Sequence, residues 1–275
     1  MDSPTRRSFL KDLSLGTAAF SVAGDQDKPN PMPGRPSSGN VDAASSTPAN
    51  IMAIAAHPGD AFFAMGAAVA LSVRLGGQGV FLSLSLGERG SSTIAPARYG
   101  DLQREAAQSA ARRLGAQAEF LTSPDGEVRA SEEVKFAVCD LIRRYKPNVI
   151  LTHWRGSWHK DHVACHEIVK DAIFYAGLPA IARERAAHNV PKLYFADNWE
   201  DATGFVPDTY LDITPVFDGW LEACALFPMW RGENGFRYNN YYSSLSIERG
   251  CLSGSAHAIA LMSPPEQLVR HVQAL

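Results

Sequence analysis

Cysteine is scarce in this chain. Its four copies, Cys139, Cys165, Cys224 and Cys251, show no paired spacing, so neither a disulfide framework nor a cysteine zinc knuckle is read from them. Three lie in apolar helical patterns, where a free thiol packs as a small hydrophobe. No solenoid-type period recurs, and after the N-terminal region no hydrophobic run reaches the length of a membrane span. A dominant charge is missing as well. The 26 Lys and Arg stand against 29 Asp and Glu, a net charge of −3, and the basic residues are dispersed, which argues against nucleic acid as a partner. Residues 24–49 lack large apolar side chains almost entirely. A stretch so rich in Pro, Ser, Gly, Asn and Asp builds no core and reads as a linker.

What precedes the linker is a different kind of segment. Residues 1–23 hold Arg6-Arg7-Ser8-Phe9-Leu10-Lys11, a modest apolar stretch from Leu13 to Val22, and the small-residue pattern Ser21-Val22-Ala23. This order of basic region, short apolar core and cleavage site resembles a twin-arginine export signal, an address and not part of the fold. It implies the twin-arginine export machinery as a partner and a destination in the periplasm or cell envelope. No cysteine closes the apolar stretch, so no lipid anchor is expected.

Residues 50–275 remain, ample for one domain with a sizeable core. Short apolar runs alternate there with helical patterns, which predicts an α/β fold: a Rossmann-like, mostly parallel sheet with helices on both faces. Strands are predicted at 51–56, 80–86, 118–121, 149–152 and 193–195, with a further one ending at Thr214. Helices are predicted at 60–75, 99–114, 131–145, 162–176 and 215–226. In such sheets ligands bind beyond the carboxyl ends of the strands. That rule gathers residues from distant parts of the chain along one rim.

The first candidate on that rim is His57-Pro58-Gly59-Asp60, directly after the apolar run Ile51–Ala56. His57 and Asp60 offer an imidazole and a carboxylate suited to zinc; the plainer alternative is a strand-end histidine and a helix-capping aspartate. The second is Trp158-His159-Lys160-Asp161-His162, after the run Asn148–Thr152. A catalytic zinc takes about three protein ligands and keeps one position open, and one histidine of this cluster would complete the set.

Together the two motifs resemble the PIG-L or LmbE-like zinc-dependent N-acetylglucosaminyl deacetylases, whose motifs read Ala-His-Pro-Asp-Asp-Glu and His-Pro-Asp-His. Gly87-Glu88-Arg89-Gly90, Arg104-Glu105, Ser123-Pro124-Asp125-Gly126 and Asp212-Ile213-Thr214 resemble family segments in the same order. The resemblance implies zinc, or another divalent transition metal, on His57, Asp60 and His162. It implies that His159 meets the reacting carbonyl or the leaving group, and that Asp161 orients His159. One departure is plain: the family places its general-base aspartate where this chain has Gly59. Glu88 is the candidate replacement, weighed against an ion pair with an arginine; Asp125 is read as an Asp-Gly turn.

Arg155, Trp158, Asn198 and Trp199 are candidate substrate-binding residues, since they follow predicted strands and offer flat apolar faces, an amide and a guanidinium. His153 reads as a buried, satisfied histidine. His166 lies too far into its helix for the rim, and His188, His257 and His271 read as surface residues. Asn234–Tyr242, dense in Asn and Tyr, is read as substrate surface or subunit contact. The resulting expectation is an exported zinc hydrolase that removes the N-acetyl group from an amino sugar or glycoconjugate. Two alternatives stay open: a catalytically impaired, metal-containing carbohydrate-binding protein, and a metal hydrolase of a different bond.

Overall fold

The computed structural model describes residues 48–267. The expected signal at 1–23, the linker up to residue 47, and His271 fall outside them. Among the described residues no helix is long and apolar enough to cross a membrane.

β1 (Ile51–Ala55) shows why the sheet is covered on both sides. Side chains alternate across a strand, and here Ala53 and Ala55 enter one hydrophobic cluster while Met52, Ile54 and Ala56 enter another. A strand buried on both faces must be apolar throughout, which accounts for its unbroken run. β2 (Gly79–Ser83) and β4 (Val149–Thr152) flank β1, both parallel to it. β3 (Gln117–Phe120) pairs with β2, and β5 (Lys192–Ala196) with β4.

Two more strands extend the sheet. β6 (Thr209–Asp212) and β7 (Ala258–Met262) add on antiparallel pairings, giving the order β3-β2-β1-β4-β5-β7-β6. β7 was not among the expected strands. The sheet is nonetheless mostly parallel, with helices on both faces, as expected of the α/β fold.

α1 (Pro58–Arg74), α2 (Pro96–Arg113), α5 (Phe217–Cys224) and α6 (Tyr238–Ser253) contribute to one cluster, around Phe62, Phe63, Trp220 and Tyr242. α3 (Glu132–Tyr145) and α4 (Lys160–Gly177) pack on the opposite face around Val138, Ile142, Ile168 and Val169. Arg143 of α3 is buried, and its guanidinium donates to the carbonyls of Tyr175, Ala176, Leu178, Ile181 and Arg185. It thereby ties the last turn of α4, whose carbonyls lack the regular helical donor, to the loop that follows.

Strand order reverses between β1 and β4. β1 leads into α1 and β4 into the loop before α4, so two helix N-termini converge over that junction, where open α/β sheets bind ligands. The two residues at those N-caps are His57 and His159.

Candidate metal centre

His57 is held in the N-cap conformation by its extended backbone and by Pro58, pre-set for the first helical position. Asp60 does not cap the helix: it lies within the first turn, and its carboxylate is free for other partners. Its Oδ2 sits 3.0 Å from His57 Nδ1 and 3.2 Å from His162 Nε2. These separations match the edge of a tetrahedral zinc shell, about 3.3 Å for ligand bonds near 2 Å. The structure therefore brings His57, Asp60 and His162 together from the N-terminal ends of α1 and α4, about a hundred residues apart in sequence.

The outer partners fix which nitrogen of each ring faces inward. His162 Nδ1 lies 2.8 Å from Asp201 Oδ1, so Nδ1 carries the proton and Nε2 presents a lone pair. That Nε2 is buried without a hydrogen-bond partner, an arrangement a cation relieves. His57 Nε2 lies 3.0 Å from Asp125 Oδ1 and 3.4 Å from Asp161 Oδ2, which leaves Nδ1 for the metal side. None of the cavity-lining residues is Lys or Arg, although Asp60, Asp125 and Glu200 all line it. Buried carboxylates at this density need positive charge. The donor set fits a divalent transition metal, as expected.

The same carboxylates set the electrostatics of the metal-free site. Burial alone would lower His57, yet Asp125, Asp161 and Asp60 outweigh it and hold it well above its usual value. His162 is raised in the same way by Asp60 and Asp201 against its burial. Asp60 is held well below the carboxylate range despite burial, chiefly by His162. His159 goes the other way: burial, then His162 and His57, bring it down to about 4.

Several residues stand elsewhere than expected. Asp161 does not orient His159 with its carboxylate, which accepts from Gly126 N at 2.6 Å and Val128 N at 3.3 Å and faces His57. Instead the Asp161 backbone N–H donates to His159 Nδ1 at 3.2 Å, so the proton of this neutral ring lies on Nε2. Glu88 is not placed as a base. Its Oε1 accepts from Asp125 N at 2.8 Å, bracing one rim loop against the next, and it does not line the cavity. Gly87 in that loop has φ +63° and passes His57 Cβ, a turn that suits glycine. Asp125, read as a turn residue, is the carboxylate on His57.

Arg155 turns away from the cavity: its guanidinium lies over the Trp154 ring, 5.1 Å from the centroid. Asn198 is buried, and its Oδ1 accepts from Glu200 N, so it shapes the loop that carries Glu200 and does not line the cavity. Trp158 and Trp199 do lie together on the rim, ring centroids 5.6 Å apart. His153 is satisfied on both nitrogens, by Asp201 at 2.8 Å and by the Ala56 N–H at 3.2 Å. His188 and His257 are half-buried and hydrogen-bonded, to Pro147 O and Ser246 Oγ, and are not free surface residues.

Residues outside the predicted site set complete the site; of these, Glu200 belongs to the loop after a strand that reads as a far wall of the cleft, and Asn234 and Tyr238 to the Asn- and Tyr-dense segment. Asp201 joins His153 and His162, and Glu200 Oε2 lies 3.3 Å from His162 Nε2. Burial, then the Asp60 carboxylate, raise Glu200 above the usual carboxylate range. Gln103, Met229, Asn234 and Tyr238 close the cavity, whose volume is about 130 Å³. Only the acidic pair after a strand signalled Glu200 and Asp201. Replacing Asp201 by Asn is expected to weaken zinc binding by about 10- to 100-fold, as for other outer-shell partners of metal histidines. Competition with a chromogenic chelator measures this; unchanged affinity would show that Asp201 does not set the His162 ring.

Comparison with known proteins finds similarity to enzymes named for two different reactions. The model of the PIG-L family, described as GlcNAc-PI de-N-acetylase, matches residues 52–173. The 4-oxalmesaconate hydratase of Pseudomonas putida KT2440 is 28% identical over 208 residues, which cover 72% of this chain and 79% of the hydratase. Among solved structures, the 4-carboxy-2-hydroxymuconate hydratase of Pseudomonas putida KT2440 gives a TM-score of 0.73 at 25% identity, covering 82% of this chain and 99% of that one. The N,N'-diacetylchitobiose deacetylase of Pyrococcus horikoshii gives 0.67 at 16% identity, covering 78% and 84%, and at that identity the likeness is one of fold. The family model and these neighbours support the resemblance seen in the two motifs.

Proposed function

We propose that the chain is a metal-dependent enzyme of the PIG-L family that adds water to, or removes it from, a carbon–carbon double bond conjugated to an oxo or enol oxygen. The observation that carries this reading is Gly59. A Cβ built there would lie 3.4 Å from both Cε and Sδ of Met229, so the position where the resemblance calls for a base holds no carboxylate and is walled by a thioether. Amide cleavage needs a group that takes the proton of water and passes it to the departing amine. Water addition makes a different demand: no amine departs, and the proton taken from water is delivered to carbon while another group holds the substrate oxygen.

The residues present meet that demand. His159 Nε2–H is set by the Asp161 N–H on its other nitrogen and holds the substrate oxygen as negative charge gathers there. Glu200, which also lines the cavity, takes a proton from the attacking water and delivers one to carbon. His57, Asp60 and His162 would hold the metal, which when bound polarises the substrate oxygen and acidifies water. Hydration then breaks the C–C π bond and one O–H bond of water, and forms one C–O bond and one C–H bond. The similarity in sequence and in structure to the hydratase activity of Pseudomonas putida KT2440, named on the oxo and the enol form of one substrate, supports this reading.

A second reading, N-deacetylation of an amino sugar, draws on the His57-Asp60-His162 set and on the family description. Two assays on the zinc-loaded chain separate them: loss of ultraviolet absorbance of a conjugated oxo-dienoate, and acetate release from N-acetylglucosamine. The proposal expects the first and not the second, with the first lost in His159→Ala. Acetate release that vanishes in His159→Ala, with no hydration, would establish the second reading. Neither activity in a metal-binding protein would leave the carbohydrate-binding alternative.

A further inference from the structure

We infer that the substrate carries a ring whose flat face stacks on Trp158, outside the catalytic cavity; the inference rests on the reading of that cavity as the reaction site. The cavity holds about 130 Å³, well under the roughly 300–1,000 Å³ of ordinary ligand pockets. Only the reacting end of a substrate enters it, and the remainder lies across the rim. There Trp158 is 67% exposed, next in sequence to His159, which lines the cavity, with ring centroids 5.7 Å apart. Trp199, next to Glu200, stands 5.6 Å from Trp158 and is itself stacked on Phe236 at 4.3 Å and 11°.

The exposed indole is held out by a braced loop. Trp158 N donates to Glu200 O at 3.2 Å, Thr203 N to Gly156 O at 3.0 Å, and Trp154 Nε1 to Thr203 O at 3.0 Å. A Cβ on Gly156 would fall 1.8 Å from Thr203 O, so this close approach requires glycine. Such a platform is preorganised: a ring that stacks on it gains contact without the cost of ordering the loop. A sugar ring and an aromatic ring share the necessary chemistry, an apolar face of about the indole's width.

Equilibrium binding to the zinc-loaded full chain tests this with two pairs of probes. Methyl N-acetyl-β-D-glucosaminide is compared with N-acetylethanolamine, and phenylpyruvate with pyruvate. The ring-bearing member of at least one pair is expected to bind about tenfold more tightly, in line with stacking on an aromatic side chain. The preference should vanish in Trp158→Ala and largely return in Trp158→Phe. Which pair shows it tells a sugar from an aromatic acid. Equal binding within both pairs, including no binding by any probe, overturns the inference, as does a preference that survives Trp158→Ala. Turnover is not read, so a ring preference in a chain that hydrates no oxo-dienoate would sink the water-addition reading while ring stacking on Trp158 stands.

Discussion

Asp60→Asn is expected to lower zinc affinity by on the order of 10³-fold, more than the 10- to 100-fold typical of outer-shell changes, and to abolish turnover with it. Among the described residues Asp60 is the one carboxylate that faces both inward nitrogens, His57 Nδ1 and His162 Nε2. Asparagine keeps its volume, so packing at the start of α1 is preserved while the negative charge is lost. Desolvation magnifies the change, because charge interactions strengthen where water is excluded. Two measurements check it together: chelator competition for affinity, and the melting temperature with and without zinc. A ligand that binds only the folded state raises that temperature, so the native chain should show the rise and the variant should not. If Asp60→Asn keeps its affinity, the metal is held by another set. His57, His159 and His162 also place nitrogens within 4.8 Å of one another, and would be the first alternative.

How much of this was legible in the sequence depended on what kind of signal each residue left. β1 and β4 were plain because unbroken apolar runs end at polar turns, and the predicted span at 149–152 matches β4. The second strand was predicted to run to residue 86. Regular pairing ends at Ser83, although Leu84 and Ser85 still donate to Ala55 O and Ala56 O before Gly87 turns the chain. α6 was missed for a physical reason. Its buried positions, Tyr238, Tyr242, Ser246 and Gly250, recur every four residues as on a helix face, yet they are not aliphatic. Gly250 is there because Ala256 O approaches where a Cβ would lie, at 2.7 Å. β7, the apolar run Ala258–Met262, was overlooked because it lies in sequence beyond the alternating pattern and joins the sheet antiparallel.

The same division runs through the site. His57, Asp60 and His162 were legible because each sits in a short motif after a strand. The partners that orient them were not, since Asp125 and Asp161 meet on His57 only after three loops fold together. Asp161 was assigned to its neighbour in sequence, His159, whereas its carboxylate reaches across to the other motif. Arg155 and Asn198 show the converse limit. A residue type suited to binding, on a loop at the proper end of the sheet, still points wherever local packing sends it.

Gly59→Asp combined with Met229→Ala is expected to raise acetate release from N-acetylglucosamine by about 10²- to 10⁴-fold over the native chain, the usual contribution of a general base. Gly59 lies in the first turn of α1, where a carboxylate is favoured by the helix dipole. Space opposes it. A Cβ at residue 59 lies 3.1 Å from Phe63 Cε2, a buried ring, and 3.4 Å from Met229, whose Sδ also accepts from Gln103 Nε2 at 3.3 Å. Gly59→Asp alone should therefore gain little, because its carboxylate competes with a side chain already packed against Gln103. Removing the thioether clears the approach to Asp60 and the reacting groups. Met229→Ala alone supplies room without a base, and should leave acetate release at the native level. Hydration of an oxo-dienoate should fall in the double variant, since a new buried carboxylate alters the charge that Glu200 and His159 were placed to serve. If the native chain already releases acetate as fast as the double variant, a base stands elsewhere in the cavity. Glu200 would then be the residue to change next, and the water-addition reading would fall.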